Sequence, residues 1–287
     1  MKNSLSTIHP HLELTQEDVF VDDKIFCLVT NGKPATGRVS VSKENGALDC
    51  RYSLFNGQRH GLYEEFFDNG DLKYWCHYSR DRKDFYDETY DKYGRLIGSD
   101  GWHQGLRHGR CKSYELDRLS AVRDFKNGKR HGLWETYGPR KVTLFHGRYV
   151  EGEPQGWHVW RFANGKRQSE EHYDRGIKTD LWRDFYEDGQ LKRERLYSDG
   201  VLVGKDTSYF ENGVKASEIS FKDGVPDGLF FEWHPNGVLK RAIPYEAGVL
   251  EGFESRYDSK LSKQREIEWR EGKVRADLHF FPRAKGP

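Results

Sequence analysis

Glycine recurs along this chain at a nearly fixed interval. Gly105, Gly128, Gly152, Gly176, Gly200, Gly224, Gly248 and Gly272 are separated by one 23-residue step and then by 24-residue steps. Extended backwards, the register reaches Gly57, with Asp81 where a glycine is missing, and a 25-residue step leads to Gly32. A short unit copied about ten times cannot bury a core by itself, so the chain must build an array in which each copy packs on its neighbours. An array offers a long shallow surface for a macromolecule, whereas catalysis asks for one enclosed constellation.

Two turns and two strands fill each copy. The first turn is Asn56-Gly57, matched by Asn127-Gly128, Asp199-Gly200 and Asp223-Gly224. The second is Asn69-Gly70, matched by Asn164-Gly165, Asp188-Gly189, Asn212-Gly213 and Asn236-Gly237. These dipeptides supply the positive φ of tight hairpin turns. Four residues after the first glycine another follows, at Gly61, Gly109, Gly132, Gly156, Gly204, Gly228 and Gly252, where a side chain is expected to obstruct the strand of the next copy. Phe85 and Asp180 break that rule and mark irregular copies.

Between the turns, residues alternate with period two, as in Leu72, Tyr74, Cys76 and Tyr78, which indicates strands with one greasier face. Aromatic residues recur at one phase of the first strand (Phe66, Tyr90, Tyr114, Tyr137, Phe185, Tyr209, Trp233 and Tyr257, with Arg161 as the exception). They close the second strand as well, from Tyr78 and Trp102 through Tyr245 and Trp269, and predict aromatic ladders. With 35% hydrophobic but 14% aromatic residues, rings must supply most of the buried surface. The predicted fold is all-β, an elongated single-sheet antiparallel meander of about ten 24-residue hairpin repeats, twisted and curved. At about 10 Å per copy it spans on the order of 100 Å. The expected organisation is a cap over residues 1–25, the array over 26–281 and a tail over 282–287, with Arg283 to Pro287 disordered.

The opening pattern NG-x-x-x-G-x-[WY]-x-x-[YF], shown by Asn127-Gly128, Gly132, Trp134 and Tyr137, and the closing NG-x-L with a final aromatic, shown by Asn236-Gly237, Leu239 and Tyr245, resemble MORN repeats of the bacterial variant type. The resemblance covers roughly residues 26 to 281. It implies a hairpin array without catalysis, and an antitoxin or immunity protein that occludes a partner toxin. For eukaryotic arrays of the family it implies membrane lipid or scaffolding instead, and few Y-x-G motifs here weaken that alternative.

Charge gives no general attraction to nucleic acid or membrane: 47 basic and 46 acidic residues are interleaved, for a net charge of +1. Local recognition therefore has to be sought in motifs. Gly-x-Arg-His-Gly places Arg59 and His60, Arg107 and His108, and Arg130 and His131 beside the first turn of three copies. In register these form a basic rim for an acidic protein surface or phosphates, or else solvated hairpin tips. Trp157 and Trp160 interrupt the aromatic phase, with Arg161 in the ring position. Either a bulge restores the core or one tryptophan is a partner-binding anchor. Trp75 and Trp182 are expected on the less greasy face.

Neither a catalytic site nor a metal site is expected. Carboxylate neighbours such as Glu64-Glu65 point to opposite faces, histidines occur about once per copy, and no hydrolase, zincin or nucleotide-loop motif is present. No cofactor is implied. Cys27, Cys50, Cys76 and Cys111 have no CxxC spacing and read as buried thiols of a reduced cytoplasm. Met1 to Glu13 carries no apolar stretch of a signal peptide or anchor. The reading is a non-catalytic protein-binding array in the cytoplasm.

Overall fold

The structure, a computed structural model, describes residues 12–280, so the expected tail over 282–287 lies outside the described residues. Apart from two single-turn helices the secondary structure is β-strand, in antiparallel hairpins that follow the chain order. The chain divides into two compact units, Met1–Trp134 and Glu135–Pro287, each built as a meander.

Local backbone chemistry sets the reversal points. At the glycine that carries the period the chain turns in two residues, both with positive φ: 50° and 74° at Asn56 and Gly57, 48° and 81° at Asp199 and Gly200. This is a type I′ turn, whose twist matches that of the strands it joins. The second turn differs from the tight two-residue form its Asn-Gly dipeptide suggests. Only the glycine has positive φ there, 84° at Gly70 and 91° at Gly189. The loop is closed by Gly70 N–H on the Phe67 carbonyl at 2.9 Å and Phe67 N–H on the Asp71 carbonyl at 2.8 Å. The asparagine is there for its side chain. Asn164 Oδ1 accepts from the Lys166 N–H at 2.9 Å while its Nδ2 donates to the Glu187 carbonyl of the next copy at 3.0 Å, and Asn212 and Asn236 repeat both bonds. The single 23-residue step also originates at this turn, which shrinks to Leu116 and Asp117, at φ 50° and 61°, between the paired residues Glu115 and Arg118.

The glycine four residues beyond the first turn is not a clearance for the next strand. A Cβ built on Gly109, Gly156 or Gly228 meets nothing within 4 Å, and the φ values are +81°, +72° and +102°. The strand bulges there, as where the register slips opposite Gly204 and Lys205, and the bulge requires a left-handed residue. Phe85 and Asp180 occupy the same conformation, with φ of 70° and 66°. Their copies are therefore regular in backbone and irregular only in residue. A second bulge precedes the three-residue turn in copy after copy, between Glu65 and Phe66, Thr89 and Tyr90, Trp160 and Arg161, and Ser208 and Tyr209. The bulge beside Trp160 is thus a rule of the repeat rather than a local repair.

In each unit the second-strand aromatics line one face, interleaved with the residue six places beyond the tip glycine. Tyr149, His158, Tyr173, Trp182 and Tyr197 form a continuous herringbone with ring centroids 5.1, 5.2, 5.2 and 5.0 Å apart. Edge-to-face pairs of this kind are worth about 0.5–1.5 kcal/mol each beyond their burial. Trp182, only 5% exposed, therefore belongs to the core and not to the less greasy face where the sequence placed it. Its indole N–H donates to the His172 carbonyl at 3.1 Å. In the first unit Tyr63 plays the same part against Tyr52, Tyr74 and Tyr78, at 5.9–6.3 Å.

At the start of the first unit, Glu13–Thr15 pairs in parallel with Gly37–Ser42, and the hairpin of Val19–Asp22 with Ile25–Leu28 forms a separate small sheet. Val19, Phe26 and Leu28 from that hairpin pack onto a cluster of Leu14, Ala35, Val39 and Leu54, which covers the aliphatic beginning of the aromatic face. At the other terminus Lys273–His279 pairs only with Lys263–Arg270 among the described residues. Its Lys273, Arg275, Asp277 and His279 put charges on an edge that would otherwise recruit another strand.

Phe85 is 67% exposed while holding a left-handed φ that costs a side-chain residue roughly 1–2 kcal/mol. Phe85→Gly should therefore raise the free energy of unfolding by about 1 kcal/mol, after allowance for the freer unfolded chain. Urea denaturation followed by tryptophan fluorescence measures this. A lower midpoint would mean that the edge contact of Phe85 with His77 outweighs the backbone strain.

Candidate functional site

The Arg-His pairs do not form a row of free cations. Arg59 donates to Asp81 Oδ1 through Nε at 3.1 Å and lies over the Tyr78 ring at 4.5 Å. Arg107 pairs with Asp100 at 2.8 Å and covers Trp102 and Phe125, and Arg130 lies 4.8 Å from the Trp134 ring. All three sit at one phase of the repeat and use their planar cations to cap the rings. The following residue of a strand points to the opposite face. His60 stacks near Phe55 at 5.9 Å, His108 lies 5.6 Å from the His103 ring and 3.2 Å from Asn127 Oδ1, and His131 is half-buried.

Trp157 and Trp160 separate in the same way. Trp160 faces the aromatic core, 4.9 Å from Phe145, and Arg161 beyond the bulge is half-buried opposite Arg167. Trp157 is on the opposite face, 44% exposed and propped by the His172 ring at 4.8 Å. Trp75 shares that opposite face in the first unit, where its indole N–H donates to Glu88 at 2.9 Å.

Sequence reasoning missed the row to which Trp157 belongs. The residue after each left-handed bulge position is Trp157, Leu181, Lys205, Leu229 and Phe253 in the second unit. Leu229 is 46% and Phe253 60% exposed. In register beside them on the intervening strands stand His172, Leu196 and Pro244. Two apolar patches result, Trp157 with Leu181 and Leu196, and Leu229 with Pro244 and Phe253, separated by Lys205. The usable signal was the bulge glycine: the residue following it faces away from the rings.

Also unflagged was the phase six residues beyond the tip glycine, which mixes rings with ionisable groups. Asp87 accepts from Tyr74 Oη at 2.8 Å and Trp102 Nε1 at 2.9 Å, Asp206 takes both Nε and Nη2 of Arg193, and Glu254 accepts from Trp269 Nε1 at 3.1 Å. These buried acids are satisfied, as burial demands. His158 at the same phase is 1% exposed, and neither ring nitrogen has a hydrogen-bond partner of good geometry among the described residues. Burial holds its pKa below the ordinary 6.5, with His146 and His172 adding to that direction. Glu171 lies opposite it in register and is pushed up by burial. All four cysteines are unpaired, and burial raises the Cys111 thiol to about 12, which suppresses its thiolate. Among the described residues no group of three or more metal-ligating side chains converges, and no helix is long and apolar enough to cross a membrane.

Four segments of the chain, residues 59–79, 181–199, 202–223 and 226–247, match the MORN repeat variant. Comparison with curated proteins gives no match. Among solved structures, the one described as the crystal structure of TcdB2-TccC3-Cdc42 is similar over 92% of this chain and 16% of its own, at 11% identity and a TM-score of 0.19. That described as TcdB2-TccC3 is similar over 80% of this chain and 15% of its own, at 10% identity and a TM-score of 0.20. The chain thus spans about one sixth of the length of the structures it matches.

Because the folded state keeps His158 neutral while the unfolded chain titrates normally, stability is complete above about pH 6.5. It is lost as the pH falls from there towards the lowered folded value. Glu171, whose folded form favours the proton, acts with the opposite sign: its contribution is complete below the ordinary carboxyl value of 4.5 and is lost as the pH rises through its raised folded value. The thermal midpoint should therefore drop between pH 7.5 and 6, and His158→Phe should remove that part of the slope. An unchanged slope in the variant would assign the pH dependence to other groups.

Proposed function

We propose that this chain is a non-catalytic binding protein whose partner is another protein, held on the face of the second unit that carries Trp157. One observation carries the reading: Trp157, Leu229 and Phe253, 44%, 46% and 60% exposed, recur at one phase of the repeat on the face turned away from the ring core. Nothing in the fold needs large apolar groups there, since the herringbone on the other side already holds the copies together. A tryptophan propped by His172 and flanked by aliphatic side chains has the composition of an interface hot spot, and truncating such a residue costs about 2 kcal/mol or more of binding. The four repeat-variant segments agree with a binding or scaffolding array.

The finer reading is a neutraliser of the antitoxin or immunity kind, which binds a toxin and occludes its working surface. It rests on the resemblance of the repeats. Under this reading the apolar row provides affinity, and the paired arginines of the first unit stabilise the fold rather than the contact.

The test is affinity capture from the native cells at 150 and 500 mM salt, where the Debye length is about 8 Å and about 4 Å, with the wild type beside Trp157→Ser combined with Phe253→Ser. One stoichiometric protein that survives high salt and is lost in the variant supports the reading. That protein should then inhibit growth when expressed alone and be harmless when co-expressed with the wild type, or the neutraliser reading fails. Salt-sensitive recovery on anionic vesicles with no protein captured would replace the protein partner by a lipid surface.

A further inference from the structure

In the first unit an open cleft of about 570 Å³ lies beside three successive hairpin tips, at Asn56-Gly57, Arg80-Asp81 and Gln104-Gly105. Arg80, Arg82, His60, His103, Gln58 and Gln104 line it. Arg51, Arg59, Arg95, Arg107 and Arg110 are each ion-paired, whereas neither Arg80 nor Arg82 has an ion pair or a side-chain hydrogen bond among the described residues.

Asp81, the nearest carboxylate in sequence, does not neutralise them. It replaces the tip glycine, and both the Arg59 N–H and Arg59 Nε donate to its Oδ1, at 3.0 and 3.1 Å, while its own N–H donates to the Arg59 carbonyl at 3.0 Å. The carboxylate is thus turned to the preceding copy and leaves the guanidinia on either side of it unneutralised. The one carboxylate in the cleft wall, Asp84, is engaged by His103 Nδ1 at 3.3 Å and by the Phe85 N–H at 3.3 Å.

We infer that this cleft binds a terminal phosphoryl group. Two guanidinium forks, two imidazoles, one of them held by Asp84, and two primary amides from three separate tips converge on this one cleft. A planar carboxylate carries one negative charge and keeps its acceptor sites near one plane, so a single fork neutralises it. A tetrahedral phosphomonoester presents three charged acceptor oxygens and about two negative charges, which is what several forks and amides from different directions can satisfy together. The cleft is larger than a phosphate ion, which leaves room for the body that carries the group, either a soluble phosphate ester or a lipid headgroup. This inference is independent of the docking face proposed for the second unit.

The probe is inorganic phosphate, titrated into the full chain and followed by the imidazole resonances of His60 and His103, with sodium chloride at equal ionic strength as the screening control. Saturable shifts are expected that chloride does not reproduce. Arg80→Asn combined with Arg82→Gln should weaken them about tenfold or more, the loss of roughly one charge-assisted hydrogen bond. Both side chains are exposed and asparagine tolerates the left-handed φ of 50° at position 80, so the variant keeps the fold. Arg175→Gln, at the corresponding tip in the second unit, should leave the titration unchanged. Sedimentation with phosphatidylcholine vesicles, with and without phosphatidic acid, distinguishes the sources. Binding that needs phosphatidic acid and both arginines assigns the group to a headgroup, and phosphate titration without vesicle binding assigns it to a soluble ester. Shifts that chloride matches, or that persist in the double variant, overturn the inference.

Discussion

Beyond the strand ladder, successive hairpin tips are tied to one another by one backbone group, the N–H of the second tip residue. Gly200 donates to the Lys178 carbonyl at 2.8 Å, Gly248 to Pro226 at 2.7 Å and Gly272 to Leu250 at 3.0 Å. The N–H points at that carbonyl only when both tip residues are left-handed, so the bond and the type I′ turn require each other. This is why the period is marked by glycine and not by a core residue. The same bond sets the offset between successive hairpins, and with it the 5.0–5.2 Å spacing of the rings from Tyr149 to Tyr197. Asp81 shows how strict the requirement is on the backbone and how loose on the residue. It keeps the N–H bond to Arg59, and its side chain then takes the Arg59 guanidinium as well.

What was legible in the sequence follows from that division. Tip glycines, strand alternation and closing aromatics are dictated by backbone and burial, and all could be read from residue type at a fixed phase. Bulges could not, because a bulge is a property of two strands and leaves only a glycine behind. Without the bulge, parity along the strand gives the wrong side for Trp182, which was expected opposite the rings and lies between Tyr173 and Tyr197. The phase that holds Trp182 was hidden for a second reason. Asp87, Asp206 and Glu254 occupy it elsewhere, so it does not read as apolar. Each acid is buried only because a tyrosine, tryptophan or arginine from a neighbouring strand reaches it.

The two faces carry different loads. On one, rings and satisfied acids hold neighbouring copies together, and the cations at the phase of Arg59, Arg107 and Lys178 lie over rings at 4.4–5.9 Å. A cation in that position stabilises the ladder and gives up part of its availability to a ligand. On the other, Trp157, Leu229 and Phe253 are exposed and the ring core does not depend on them. A repeat separates these roles cheaply, since each phase recurs on its own side of the sheet and can change residue without disturbing the opposite one.

The same separation explains why the Arg-His motif misleads. In a chain with 47 basic and 46 acidic residues, most cations find a partner in the next strand, so the density of arginine says little about where an anion could bind. The informative quantity is a cation left over after the strands have paired, and it is fixed by register. Arg59 looks free in sequence and is neutralised because Asp81 falls beside it one copy later. Arg80 and Arg82, adjacent to that same aspartate in sequence, have no ion-pair partner among the described residues, since its carboxylate is aimed the other way. Aspartate at this tip therefore fastens a hairpin to its neighbour while leaving the two arginines beside it, which the copies carrying glycine do not offer together, to another anion.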